Sequence, residues 1–181
     1  MLHPHSQIIA LPEIPPAVKQ VLHAATAYYL QKERCVYCDL IHQETADRVR
    51  LVCENQDFLA FCPYASSAPF KIRVYPKKHS PDFSAMDESQ KVGLADITCQ
   101  VFNRLFRALD QPAVHLAIHS APIANDPLTA VEFGQWMDAA YHWHMVITPK
   151  IAERAPLTLG ESISVNTVVP EEAANFLRNT K

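Results

Sequence analysis

The sequence predicts an α+β fold, a mainly antiparallel sheet with one long helix packed on it. Two observations carry this. Short strand-like runs flank a single long amphipathic segment, an order that favours strands pairing among themselves over alternating strand–helix units. Within Phe70 to Tyr75, Ile72 and Val74 alternate with Lys71 and Arg73, the period of a strand with one buried face.

Each element follows in order. Leu11-Pro12-Glu13-Ile14-Pro15-Pro16 is a stiff connector, and Pro15-Pro16 suits the first turn of a helix reaching about Glu33, with Val18, Val21, Leu22, Ala25 and Tyr29 at helical spacing. Arg50 to Cys53, Phe58 to Cys62 and Phe70 to Tyr75 read as strands. Pro76 and Pro81 bracket a turn holding Lys77, Lys78 and His79. The long helix spans Asp87 to Leu109; Asp87 and Gln90 form a capping pair, and Leu94, Ile97, Val101, Leu105 and Phe106 form its buried stripe. Val114 to Ser120 and Tyr141 to Thr148 are two further strands, separated by a loop with a helical turn over Ala121 to Ala140. A short strand near Ile163 to Val168 and a helix from Pro170 follow.

A chain of 181 residues, 49% of them hydrophobic, has enough material for one substantial core. The net charge of -3 argues against a broad nucleic-acid surface. No apolar run reaches bilayer length and the start does not resemble a signal peptide, so a soluble cytoplasmic protein is expected, without a membrane or nucleic-acid partner. Five cysteines, an odd number, favour thiols or metal ligands over a disulfide framework. With only three glycines, neither a P-loop nor a dinucleotide fingerprint is available, and any phosphate must be held by side chains.

The chemistry-bearing residues recur in pairs. In an extended His3-Pro4-His5-Ser6-Gln7 segment, His3, His5 and Gln7 project to one side, where they can hold a metal, or a phosphate beside a nucleophilic nitrogen. Cys35-x-x-Cys38 can grip one zinc ion from a tight turn, or be two ordinary buried cysteines. His142-Trp143-His144 repeats the His-x-His pattern in a strand, with Trp143 and Met145 on the opposite face. His115 and His119 share a face of their strand, opposite core-facing Val114, Leu116 and Ile118. Lys77 and Lys78 read as a solvated loop, and Cys53, Cys62 and Cys99 as packing residues. Ser6 has no adjacent base to make it a nucleophile.

Taken together, these residues resemble the galactose-1-phosphate uridylyltransferase family of the histidine-triad superfamily, and within it the ADP-glucose phosphorylase-like branch. The resemblance rests on His3 to Pro12, Cys35-x-x-Cys38, Pro69-Phe70 leading to Pro76-Lys77-Lys78-His79, His119-Ser120-Ala121-Pro122, His142-Trp143-His144 and Pro170-Glu171-Glu172-Ala173-Ala174. It implies a histidine-triad-like domain over residues 15–181, preceded in residues 1–14 by a remnant strand and connector of an N-terminal half.

The same resemblance implies a nucleotidyltransferase. His5 would be the nucleophile that takes a nucleoside monophosphate from a nucleoside diphosphate sugar, with Ser6, Gln7 and Asn166 binding substrate and sugar 1-phosphate as product or acceptor. It places zinc on Cys35, Cys38, His79 and His142, in a structural role, and makes His144 a decayed counterpart of His5. Some family members use instead the histidines matching His119, His142 and His144; the two cysteines favour the thiolate version. A homodimer is expected. The chain departs from the family where a Gly-aromatic-Glu stretch is replaced by Pro156-Leu157-Thr158, and His3 lacks the partners that an N-terminal half supplies. Two alternatives stand beside transfer: hydrolysis of the nucleotide, and a catalytically silent, zinc-stabilised half-domain that binds a nucleotide or a protein partner.

Overall fold

The computed structural model describes residues 6–8, 13–122, 134, 136–151 and 166–180. The elements, in chain order, are α1 (Pro16–Lys32), α2 (Val36–Asp47), β1 (Leu51–Glu54), β2 (Phe58–Phe61), β3 (Ile72–Pro76), a single 3-10 turn (Phe83–Ala85), α3 (Glu88–Ala108), β4 (Ala113–His119), α4 (Met137–Ala140), β5 (His144–Lys150) and α5 (Pro170–Asn179). The strands form one antiparallel sheet in the order β1-β2-β3-β5-β4. The fold is therefore α+β, as expected. Among the described residues no helix is long and apolar enough to cross a membrane.

One face of the sheet carries the larger core. Ile72, Val74, Trp143, Met145 and Ile147 meet Ile97, Val101 and Leu105 of α3 and Ala173, Ala174 and Leu177 of α5. α3 starts where its sequence says it should: the Asp87 side chain accepts from Gln90 N, and the Gln90 side chain accepts from Asp87 N. Asn55 fixes α3 to the β1–β2 hairpin, donating to Gly93 O (2.7 Å) and Asp96 Oδ2 (3.0 Å) while accepting from Phe58 N (2.8 Å). Phe106, expected in the buried stripe, is 39% exposed, and Cys99, expected to pack, is exposed. Both lie on the flank of α3 that turns away from the sheet.

The other face holds a second core. Leu22 and Ala25 of α1 and Tyr37 and Ile41 of α2 bury Leu51, Leu59, Phe61 and Tyr75. α2 is absent from the sequence expectations, which put a tight turn at Cys35-x-x-Cys38. Its inward stripe of Tyr37 and Ile41 continues into Glu44, a charge where an apolar residue would have revealed the period. The carboxylate is stabilised there because Arg50 Nε and Nη2 reach Glu44 Oε1 at 2.9 and 2.8 Å, and Arg50 Nη1 reaches Glu171 Oε1 at 2.9 Å. One guanidinium so joins α2, the start of β1 and α5.

The strand boundaries differ from the expected ones by at most three residues, and the strand expected from Tyr141 begins only at His144. Leu116 and Ile118, expected to face the core, are 40% and 45% exposed because β4 is an edge strand that α3 does not overlie. Of the strand expected near Ile163 to Val168, residues 163–165 lie outside the described residues and 166–168 are not strand.

The Glu44–Arg50 pair yields a stability test. Arg50→Met strands a carboxylate that is only 2% exposed, and should cost about 3–5 kcal/mol in urea unfolding. Adding Glu44→Leu removes the stranded charge and should restore most of that loss.

Candidate metal centre

Cys35 is the N-cap of α2 and Cys38 lies in its first turn, so the two thiols share one face of a helix start. The backbone N–H groups at this end favour thiolate over thiol. His79 follows β3, in the turn between Pro76 and Pro81. That turn is pinned by Trp143 N donating to Ser80 O (2.9 Å) and Ala121 N donating to Pro81 O (2.9 Å). Lys77, expected in a solvated loop, is held instead by Glu54 Oε2 (2.8 Å) and Asn55 O (2.6 Å), whereas Lys78 is exposed. His142 stands just ahead of β5, which pairs with β3, and so comes back beside His79.

The ligand atoms of Cys35, Cys38, His79 and His142 all lie within 4.8 Å of one another. Cys38 Sγ is 3.2 Å from His79 Nδ1 and 3.6 Å from His142 Nδ1. Bonds of about 2.0–2.3 Å to a tetrahedral ion set neighbouring ligand atoms about 3.3–3.8 Å apart, so the spacing fits. The far side of each imidazole strengthens the fit. His79 Nε2 lies 2.8 Å from Asp138 O, and His142 Nε2 lies 2.9 Å from Pro76 O. A carbonyl accepts only from N–H, so each ring carries its proton on Nε2 and turns the Nδ1 lone pair inward. The hydrogen bond from Cys38 holds the Cys35 thiol well below its ordinary value; the thiolate so formed pushes Cys38 up and also raises His79. The four groups hold negative charge that a soft divalent cation would neutralise.

His144 is outside this cluster. It is buried, its Nδ1 lies 3.2 Å from His142 O, and burial drives its imidazole down to about 3, which keeps it neutral. Its ring stacks on Tyr75 at 4.9 Å and on His119 at 4.9 Å, the two imidazoles lying 1° from parallel. His119 is exposed at the sheet edge, and partial desolvation together with the nearby Arg73 and Lys71 charges lowers it. Of the remaining expected site residues, His3 and His5 lie outside the described residues, and Ser6 and Gln7 are exposed without regular structure. Asn166 is half-buried, its Oδ1 accepting from Val168 N at 3.2 Å just ahead of α5. Sequence reasoning missed the two carbonyls that orient the imidazoles, since backbone partners leave no residue signature.

Comparison with known proteins bears on the same residues. Residues 22–154 match the family model described as galactose-1-phosphate uridyl transferase, C-terminal domain. An ADP-glucose phosphorylase from Arabidopsis thaliana is 27% identical over 182 residues, covering 98% of this chain and 47% of that protein. A solved structure described as a uridylyltransferase superposes with a TM-score of 0.82 at 26% identity, covering 97% of this chain and 54% of the other. A Hit-like protein from Bartonella henselae shares the fold over 81% of this chain and 96% of its own, with a TM-score of 0.55 at 20% identity. The chain spans about half the length of the first two.

Metal removal tests the cluster. With free metal at a thousandfold its dissociation constant, binding should stabilise the fold by about 4 kcal/mol. EDTA should lower the Tm accordingly, and in Cys38→Ser the chelator should have little left to remove.

Proposed function

Because this chain belongs to the galactose-1-phosphate uridyl transferase family, we propose that it takes part in nucleotidyl transfer through His5. The imidazole attacks the α-phosphorus of a nucleoside diphosphate sugar. A P–N bond forms, the P–O bond to the sugar phosphate breaks, and sugar 1-phosphate departs with the electron pair. A second phosphate or sugar phosphate then takes the nucleotide from the histidine, in a ping-pong sequence. Neutral imidazole is a competent nucleophile near neutral pH. Gln7 hydrogen-bonds the phosphate, Ser6 lies beside it, and Asn166 contributes to the sugar side.

One observation carries the reading: the matched segment, residues 22–154, stands directly downstream of His3-Pro4-His5-Ser6-Gln7. In this reading residues 1–14 belong with an N-terminal half and residues 15–181 form the C-terminal histidine-triad-like domain, working as a homodimer in the cytoplasm. The Arabidopsis relative's description as an ADP-glucose phosphorylase supports a nucleoside diphosphate sugar as donor and inorganic phosphate among the acceptors.

The cofactor is zinc. Two cysteine sulfurs and two imidazoles whose ligand atoms all lie within 4.8 Å of one another are a donor set suited to that ion. It would supply structural cross-linking, tying the start of α2 to the turn after β3 and the start of β5. The purified chain should carry one zinc per molecule by elemental analysis.

The chemistry is tested by incubating the zinc-loaded chain with radiolabelled ADP-glucose and UDP-glucose, followed by mass spectrometry for an adduct on His5. Adduct formation lost in His5→Asn supports the transfer reading, and the adduct mass names the base. Turnover to free nucleotide without an acceptor makes the protein a hydrolase. Labelling that survives in His5→Asn overturns the nucleophile. No labelling of the folded chain leaves a catalytically silent half-domain as the better reading.

A further inference from the structure

The sheet carries a second set of groups, away from the metal cluster, on the face opposite α3. Alternation along β3 sends Ile72 and Val74 into the α3 core and puts Lys71, Arg73 and Tyr75 on the other side. Across the sheet at the level of Arg73 stand Val146 of β5 and Ala117 of β4, whose side chains are short. One pleat further along, His144 is opposite His119, the stacked imidazoles. Arg73 on β3 and His119 on β4 thus flank β5 on the same face, one same-face step apart along the sheet with a low floor between them, and Lys71 stands just ahead of β3, two residues from Arg73.

These groups are short of acceptors. Arg73 Nη1 makes one long hydrogen bond, 3.3 Å to Tyr75 Oη, while its Nε is buried without a partner among the described residues. A guanidinium has five N–H donors in a fixed fork, so most of this one's capacity is unspent. Lys71 Nζ donates to Ser67 Oγ at 2.9 Å and keeps two further donors. Among the described residues neither cation makes an ion pair, although Arg48, Arg50 and Lys77 all do. The charges felt at His119 are those of Arg73 and Lys71, and the charge felt at Lys71 is that of Arg73, all of one sign. A half-buried pair of like charges without a counter-ion among the described residues is costly unless an anion joins it.

We infer that Lys71, Arg73 and His119 form a binding site for a phosphoryl group. A dianionic, tetrahedral oxyanion matches two cations together, and its edge accepts the planar guanidinium fork through two parallel hydrogen bonds. Lys71 adds a point charge and His119 an imidazole N–H. The site uses neither His5 nor the four metal-binding side chains, so it stands or falls independently of the transfer reaction. The phosphoryl group is borne either by a free inorganic anion or by a nucleotide whose base lies on the outer face of the His119 ring.

Isothermal titration of the full, metal-loaded chain with inorganic pyrophosphate and with ADP tests this, using malonate as a carboxylate control. Both phosphates should bind more tightly than malonate, and Arg73→Gln and Lys71→Gln should each weaken them by about tenfold or more. Equal affinities for pyrophosphate and ADP assign a site for the bare phosphoryl group; tighter ADP binding adds the ring contact, which His119→Ala should then remove. Lys71→Gln gives up one hydrogen bond to a serine in a loop and tests the site even where Arg73→Gln fails to fold. The proposal is overturned if the wild-type chain binds neither phosphate. It is also overturned if both variants bind within twofold of wild type, or if Arg73→Gln breaks up a dimer that pyrophosphate leaves intact, since the counter-ion is then a second copy's carboxylate.

Discussion

Pairing of β3 with β5 is the constraint on which the rest of the molecule depends. Three register pairs, Ile72 with Ile147, Arg73 with Val146 and Val74 with Met145, join the meander β1-β2-β3 to the hairpin-like β4–β5 unit. Because the strands run antiparallel, the turn leaving β3 is brought against the segment entering β5. His79 and His142 meet there, their rings 5.2 Å apart, and the same register puts Tyr75 beside His144. A slip of one residue would exchange the two faces of β3, sending Arg73 into the α3 core and Val74 out of it. Burial of Ile72 and Val74 to 0% exposure makes that slip prohibitive.

Among the described residues the sheet is covered unequally, which explains where polar groups are found. α3 and α5 close one face with apolar side chains, whereas α1 and α2 close only the β1–β2–β3 part of the other with a mixed surface of tyrosines, cysteines and Glu44. Glu44 is tolerated inside because Arg50 supplies two N–H groups to one oxygen, and Arg50 is itself held by Glu171 and lies 5.6 Å from the centre of the Tyr64 ring. A hydrophobic pair of similar volume would serve stability as well. What the ionic version adds is a link of fixed hydrogen-bond geometry between the end of α2, the start of β1 and α5.

Much of the fold was legible because local signals and burial agreed. The Asp87–Gln90 capping box and the stripe through Ile97, Val101 and Leu105 placed α3 to within a residue, and the alternation in β3 named its two faces correctly. α2 was hidden for a physical reason, a buried charge whose partner lies in another element. The exposure of Leu116 and Ile118 was hidden too, because an edge strand and a central strand share one alternation pattern. The four side chains of the candidate cluster were named through the family resemblance, and their convergence depends on sheet order, which no local pattern encodes. The carbonyls of Pro76 and Asp138 that orient the imidazoles, and the grouping of Lys71 and Arg73 with His119, depend on the same long-range pairing.

The chemistry of the cluster constrains what a metal there can do. Catalytic zinc keeps a coordination position for water or substrate, and structural zinc fills all four with protein. Here four protein donors converge, and both imidazoles are locked in one tautomer by backbone carbonyls that cannot rearrange without disturbing β3 or α4. An ion held by all four would have no position left for a phosphate, and would act by tying the helix start, the turn and the start of β5 together. In the proposed transfer reaction, bond-making to phosphorus would then fall to a side chain outside the cluster, and His144 is a poor candidate. Its ring is clamped between Tyr75 and His119, and its Nδ1 is engaged by the His142 carbonyl. An imidazole attacks through the in-plane lone pair of a ring nitrogen, and a ring held by stacking on both faces has little freedom to turn that lone pair toward a phosphorus.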